Sequence, residues 1–244
     1  INSKGLNTSA IFGFCNSLLE VTNKFDPSHI GVVFDPPGGS DREGVFADYK
    51  ANRQEMPEDI RKAIPYIFDL LKAMNIKVEM EEGFEADDVI GTLAKQAEKK
   101  GFETYMMTPD KDFGQLVSDH IFIYKPGRSG NPSEILGPKE VCEKFEVKDP
   151  LQVIDILGLW GDAVDNIPGV PGVGEKTAKK LISTYGSIEN LIKNTHDLKG
   201  KLKENVENFA EQAILSKQLA TIILDCPVEF EESEFSRKEV NEKE

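Results

Sequence analysis

Histidine and cysteine are scarce, three of each in 244 residues. His29, His120 and His196 and Cys15, Cys142 and Cys226 lie far apart, without the paired spacing of a zinc site or a disulfide framework. This suits a reducing, cytoplasmic compartment, with the cysteines as packing residues. No apolar run reaches the roughly 18 residues of a membrane span. The opening Ile1-Asn2-Ser3-Lys4-Gly5-Leu6-Asn7 has no apolar core of a secretory signal. Positive charge is also short: 29 Lys and Arg against 43 Asp and Glu, a net charge of −14. That balance argues against a nucleic-acid partner, unless the acids gather where bound cations neutralise them.

What is present is alternation. Thr8 is positioned to cap a helix whose apolar face is Ile11, Phe14, Cys15 and Leu18. Residues 29–35 form a β-branched run ending in an acid, and 36–49 read as loop. Pro57-Glu58-Asp59 starts a helix with the stripe Ile60, Ile64, Ile67, Phe68 and Leu71. A strand at 76–80, a helix at 85–100 stopped by Gly101, a strand at 102–107, a short helix at 112–117 and a strand at 121–124 follow. This order predicts an α/β fold, with a mostly parallel central sheet flanked by helices. Beyond residue 137 the strand signals fade, and 138–145, 150–159, 175–184, 187–193 and 200–220 read helical. The division expected is an α/β core over 1–136, a helical subdomain over 137–228 and an acidic tail or linker over 229–244.

The acids fall at informative places. Asp35 and Asp110 each follow a predicted strand, where sites form in open α/β sheets. Glu85, Asp87 and Asp88 open a helix; Asp112 follows Asp110; Asp162 and Asp165 lie in a turn between helices. Any one of them alone would be an ordinary surface charge, and an Asp-Asp pair at a helix start merely complements the helix dipole. Eight carboxylates on one rim repel unless cations join them, and oxygen-only ligands suit Mg²⁺ or Mn²⁺. Two such ions clamp a phosphodiester.

Gly169-Val170-Pro171-Gly172-Val173-Gly174-Glu175-Lys176-Thr177 opens a helix, but Glu175 stands where a phosphate-binding loop needs lysine. The alternatives are a tight turn with a solvated lysine face or a helix–hairpin–helix. In the latter, Gly169, Gly172 and Gly174 admit a DNA phosphate, and Lys176, Thr177, Lys179 and Lys180 follow on the helix. Tyr49-Lys50-Ala51-Asn52-Arg53 is either a surface helix start or part of an arch near 40–60. As an arch it would let Lys50 and Arg53 steady a phosphate while Tyr49 stacks on a base.

These stretches, with Gly83-Phe84-Glu85-Ala86-Asp87-Asp88-Val89, Thr108-Pro109-Asp110-Lys111-Asp112 and Gly161-Asp162-Ala163-Val164-Asp165-Asn166-Ile167-Pro168-Gly169, carry a resemblance over essentially the whole chain. The chain resembles the 5′-nuclease domain of bacterial DNA polymerase I and the phage and cellular flap endonucleases. The resemblance implies a PIN-like core with a helical arch near 40–60 and a helix–hairpin–helix near 160–185. Asp35, Glu85, Asp87 and Asp88 are implied to hold one metal ion, and Asp110, Asp112, Asp162 and Asp165 the second, directly or through water. Lys50 and Arg53 become the basic pair of the arch, and Arg42 keeps a place in its DNA contacts. The hairpin is implied to bind duplex, with a potassium ion at its carbonyls. The implied reaction cuts 5′-ended, nicked or flapped DNA and primer RNA, in a monomer fused to a polymerase. Family members begin with a strand carrying another aspartate ahead of the segment that matches Ile1; weak or absent cleavage is expected of these 244 residues without it. Asp41 and Gly44 depart from the family's pattern around Arg42. A DNA-binding module without catalysis and a toxin-type ribonuclease are the competing readings.

Overall fold

The computed structural model describes residues 5–127 and 132–239. Helix α1 (Ser9–Phe25) turns Leu18 and Thr22 inward and stops at Asp26, in the left-handed conformation. Asn7 Oδ1 accepts the N–H of Ser9 at 3.1 Å, whereas the Thr8 side chain makes no capping bond. Strand β1 (Gly31–Val33) is shorter than the apolar run suggested. A single helical turn, α2 (Arg42–Val45), interrupts the predicted loop. Helix α3 (Glu58–Ala73) follows Pro57 and buries Ala63, Ile67 and Leu71, leaving Ile60 of the expected stripe exposed. Strand β2 (Lys77–Glu79) pairs in parallel with β1, Val32 opposite Val78.

Helix α4 (Ala86–Lys99) begins at a reciprocal cap between Glu85 and Asp88, and Gly101 lies beyond its end with φ 87°. Strands β3 (Thr104–Met107) and β4 (Ile121–Lys125) pair in parallel, and β5 (Glu134–Leu136), absent from the sequence reading, runs antiparallel to β4. The expected single sheet is thus two small ones. Among the described residues β1 and β3 are each paired along one edge only. Between them lies a cavity of about 890 Å³, walled by Phe14 and Leu18 of α1 and by Ile90, Leu93 and Ala94 of α4.

The second half is helical: α5 (Pro138–Phe145), α6 (Val153–Trp160), α7 (Glu175–Tyr185), α8 (Ile188–Lys193), α9 (Gly200–Asn208) and α10 (Ala210–Ala220). Helix α6 is its axis, with Val153, Ile156, Leu157 and Leu159 buried. The predicted helix over 200–220 divides at Phe209, whose φ of −115° leaves the helical region. One core runs through both halves, joining Phe113, Leu116, Ile121 and Ile123 to the α6 residues.

The expected acidic tail is packed as far as it is described. Phe230 and Phe235, the latter in the short helix α11 (Glu232–Phe235), bury against Val89, Leu93 and Ala97 of α4. The N–H of Ile30 donates to Phe235 O at 2.8 Å, and that of Arg237 to Ser28 O at 2.9 Å. Residues 240–244 of that tail lie outside the described residues. No helix among the described residues is long and apolar enough to cross a membrane.

Candidate active site and nucleic-acid interface

The carboxylates of the first expected group are positioned by the start of α4 and the end of β1. Asp35 Oδ1 accepts the N–H of Ala86 at 2.8 Å, one of the free amides of the helix start. Asp87 faces the same rim. Burial, then the charges of Asp110 and Glu85, and to a smaller extent Asp35, push its carboxyl up to about 7. Residues following β1 and β3 and opening α4 therefore share one field.

The second group continues from it. Asp110 Oδ1 accepts the N–H of Asp112 at 3.0 Å. Burial and the neighbouring Asp110 push the Asp112 carboxyl up to about 8, with Asp162 and Asp165 adding and Lys111 opposing. Asp112 Oδ1 is buried without a hydrogen-bond partner. Lys111 reaches Asp162 and lies 5.3 Å over the Trp160 ring. Burial would raise the Asp162 carboxyl, but the bond and charge of Lys111 and the backbone N–H groups of Val164 and Asp165 together outweigh that and hold it below the ordinary value. Seven acids, Asp35, Glu85, Asp87, Asp110, Asp112, Asp162 and Asp165, form this rim. Among the described residues no three acidic, histidine or cysteine side chains already meet at one ligand-distance point. The rim is a concentration of charge, not a closed cage.

The basic turn lies against it. Lys50 Nζ sits 2.7 Å from Glu85 Oε2 and 3.8 Å from Asp165 Oδ2; Arg53 Nη2 sits 2.5 Å from Asp165 Oδ1. Backbone carbonyls are engaged as well: the N–H of Lys50 donates to Asp165 O at 2.9 Å, the side-chain Nδ2 of Asn52 to Ala163 O at 2.7 Å and that of Asn166 to Asp48 O at 2.6 Å. Lys50 and Asn166 both adopt left-handed φ, 56° and 57°, an arrangement side chains other than glycine take at a cost. Burial would raise the Glu85 carboxyl, but Lys50 and Arg42 hold it below the ordinary value.

Three expected site residues are placed elsewhere. Tyr49 is not a free stacking platform: it is 4% exposed, and its hydroxyl donates to Glu85 Oε2 at 3.2 Å. Burial and that carboxylate push its phenol far up. Arg42 is buried, not on a DNA-facing surface, and forks onto Asp88 at 2.7 and 2.6 Å. Asp88 is fully buried and turned away from the rim. Residues 40–53 therefore make one helical turn and a series of turns seated on the carboxylates, and 54–57 have no regular structure, so no arch helix stands between α2 and α3.

The hairpin joins α6 to α7. Asp162 and Ile167 exchange backbone bonds at 2.9 and 2.8 Å. Gly169 has φ 59°, and a Cβ there would sit 2.5 Å from Gly161 N and 2.6 Å from Trp160 C, so the chains approach too closely for any side chain. Its N–H donates to the buried Ser216 Oγ at 3.0 Å, and its carbonyl accepts from Gln212 at 2.6 Å. Gly172 and Gly174 are exposed at the mouth of α7, with Lys176 and Lys180 exposed on the helix and Thr177 half-buried. Lys179 is engaged instead, donating to Lys144 O at 2.8 Å and pairing with Glu175 at 2.7 Å. Ser216, Gln212 and Ser40, whose Oγ donates to Glu85 Oε1 at 2.9 Å, carried no sequence signal, because their partners are 43 to 47 residues away. Lys111 was missed as well; its place inside the acid-rich motif 108–112 was the one signal that could have found it.

A two-lobed fold with an acid rim and a glycine hairpin finds close counterparts. Residues 1–146 match the model of the 5′-3′ exonuclease N-terminal, resolvase-like domain, and 148–243 match that of the 5′-3′ exonuclease C-terminal SAM fold. The chain belongs to the 5′-3′ exonuclease family. It is 44% identical to the DNA polymerase I of Bacillus subtilis over 229 residues, covering 93% of this chain and 26% of that protein. It is 38% identical to a 5′-3′ exonuclease of Aquifex aeolicus over 236 residues, 97% of this chain and 79% of that one. The chain thus spans about a quarter of the length of the polymerase relatives it matches. Among solved structures, a phage T5 5′-exonuclease with divalent zinc ions bound superposes with a TM-score of 0.72 at 20% identity, covering 88% of this chain and 81% of that one. A phage T5 D15 flap endonuclease in a pseudo-enzyme–product complex with DNA and metal ions gives 0.70 at 20% identity, with 85% and 79% covered. These two likenesses are of fold.

Proposed function

We propose that the chain is a structure-selective 5′-nuclease, hydrolysing DNA phosphodiesters at 5′ ends and flaps during replication and repair with two divalent ions, Mg²⁺ or Mn²⁺. The observation that carries this reading is the rim of seven carboxylates, faced by Lys50 and Arg53, in which the buried Asp112 Oδ1 has no hydrogen-bond partner among the described residues and only Lys111 at 3.9 Å. A ligand set of carboxylate oxygens without imidazole or thiolate fits hard cations. Asp35, Glu85 and Asp87 would hold one ion, and Asp110, Asp112, Asp162 and Asp165 the other, directly or through water. Bound there, the ions supply a water nucleophile and stabilise charge on the phosphate.

The chain's own groups do the rest. Lys50 touches both carboxylate groups and Arg53 the second, so a scissile phosphate entering the rim exchanges their carboxylate partners for its own oxygens. The amides at the start of α7, with Lys176 and Lys180, take a duplex phosphate without reading bases. A potassium ion at the hairpin belongs to the same reading; Gly169 O and Pro171 O already accept from Gln212 and Asn205. We further read the chain as a monomeric unit fused to a DNA polymerase in the bacterial cytoplasm, acting on nicked and flapped duplexes and primer RNA. The polymerase relative, of which it spans a quarter, supports that reading.

The test is cleavage of a labelled 5′-flap duplex, with single-stranded RNA in parallel. Slow cutting of the flap that needs Mg²⁺ or Mn²⁺ is expected. Equal cutting in a chelator, or preference for the RNA strand, would overturn the reading. Flap binding with no cutting under any divalent ion would favour a non-catalytic DNA-binding module.

A further inference from the structure

The two aspartates at the start of α4 occupy opposite environments. Asp87 faces the rim. Asp88, the next residue, is 0% exposed. Its Oδ1 accepts from Arg42 Nη2 at 2.6 Å and from the N–H of Ile223 at 2.8 Å. Its Oδ2 accepts from Arg42 Nη1 at 2.7 Å and from the N–H of Glu85 at 3.1 Å. A carboxylate has about four acceptor sites, and here two backbone amides and a buried guanidinium fill them. Unlike Glu85, whose Lys50 donor is a side chain that an entering phosphate can draw off, Asp88 has no exchangeable partner to yield to a cation.

Arg42 completes the unit. It is 8% exposed, and Nη2 also donates to Thr221 O at 2.9 Å. Nη1 lies 3.3 Å from Glu85 Oε2, so the guanidinium spans Asp88 behind and Glu85 in front. Burial disfavours its charge, but Asp88 and Glu85 outweigh that and hold the group firmly protonated. Thr221 and Ile223 follow α10, while Glu85 and Asp88 open α4 and Arg42 opens α2. One ion pair therefore fastens the helical half to the α/β half and fixes the carboxylate that projects to the rim.

We propose that Asp88 is a positioning residue and not a metal ligand: through Arg42 it orients Glu85 and buckles the segment after α10 to the head of α4. The inference rests on the two-metal reading only for what Glu85 does once oriented. Buried Arg–carboxylate pairs lose heavily when one partner is removed, yet an apolar replacement of both is often tolerated. Partners behind a metal ligand are worth roughly 10-fold or more in metal affinity.

The experiment counts Mn²⁺ bound to the purified chain by electron paramagnetic resonance, beside thermal unfolding. Asp88→Asn and the apolar pair Arg42→Met with Asp88→Leu are expected to keep the parent's number of Mn²⁺ sites. The apolar pair is expected to bind roughly 10-fold more weakly, because Glu85 has lost its orienting guanidinium. Asp87→Asn is expected to lose a site. In unfolding, Arg42→Met and Asp88→Leu should each cost more alone than together. A folded Asp88→Asn or apolar-pair chain missing one Mn²⁺, as Asp87→Asn is, would overturn the proposal. An apolar pair binding Mn²⁺ as tightly as the parent would overturn the orienting role. If the parent binds no Mn²⁺ at all, the two-metal reading fails by itself. The unfolding cycle then decides the buckle, and strictly additive losses would refute it.

Discussion

The rim and the hairpin sit side by side but are held together differently. The hairpin is complete: Gly169 is closed in by Gly161 and Trp160, its amide and carbonyl have partners, and Val170 and Val173 are buried beneath it. The rim is incomplete by its own electrostatics: seven acids share a field with Lys50, Arg53 and Lys111, two carboxyls are pushed toward neutrality, and one buried oxygen has no donor. Packing satisfies the first region without help. The second holds seven acids against three basic side chains, so a further positive charge would relieve its repulsion. On the function proposed above, the hairpin would carry phosphate and the rim would act on it, so the first would be rigid before binding and the second would change on binding.

The comparison can be broken most decisively at Asp87. In Asp87→Ala, flap cleavage is expected to fall on the order of 10³-fold, while the dissociation constant for the same duplex stays within about threefold. A matching loss of binding would mean that rim and hairpin are not separable. Next is Gly169→Ala, which forces a Cβ into backbone at 2.5 Å and a left-handed φ. We expect a loss of roughly 3 kcal/mol in unfolding free energy, together with weakened duplex binding. An unchanged melting temperature would remove the claim that the turn is sterically closed.

The rim's charge gives a pH prediction. Burial and neighbouring carboxylates push Asp87 up to about 7 and Asp112 up to about 8 in the fold, against 3.8 as their ordinary value. Because the folded state holds these protons longer, it is favoured at low pH. That advantage is lost as pH rises from about 4 through 8, and stays lost above. Melting curves in a chelator should therefore shift down across that interval, and millimolar Mg²⁺ should restore most of the loss at pH 8. A flat profile, or one that Mg²⁺ leaves unmoved, would count against the rim as a cation site. The smallest effect is expected at the hairpin's lysines. Alanine at both Lys176 and Lys180 should weaken duplex binding several-fold and lower the salt slope by about 1 to 2, with the cut site unchanged.

Much of this was legible in the chain. Strand ends placed Asp35 and Asp110, and the Glu85 cap and Gly101 bounded α4 to within a residue. Periodicity alone did not give two small sheets in place of one, because it reports which residues are extended and says nothing of which edges meet; the family strand noted ahead of Ile1 was the one hint of an interrupted sheet. Asp88 and Arg42 were misplaced because adjacent acids on a helix point about 100° apart, and which one turns inward depends on a partner 46 residues away. Phe230 and Phe235 were hidden by acidic neighbours: composition suggested a free tail where two rings bury on α4, each worth roughly 1.5–3 kcal/mol. The hairpin's glycines were plain, but Ser216 and Gln212, which hold the turn, come from α10 and show no local pattern.

The cleft between β1 and β3 gives the backbone two kinds of edge within one small region. Amides on the borders shared with β2 and β4 are locked into ladders, whereas those facing the 890 Å³ space have no ladder among the described residues. Deuterium uptake resolved by residue should therefore alternate along β1 and along β3, fast on the inward-facing amides and slow on their neighbours.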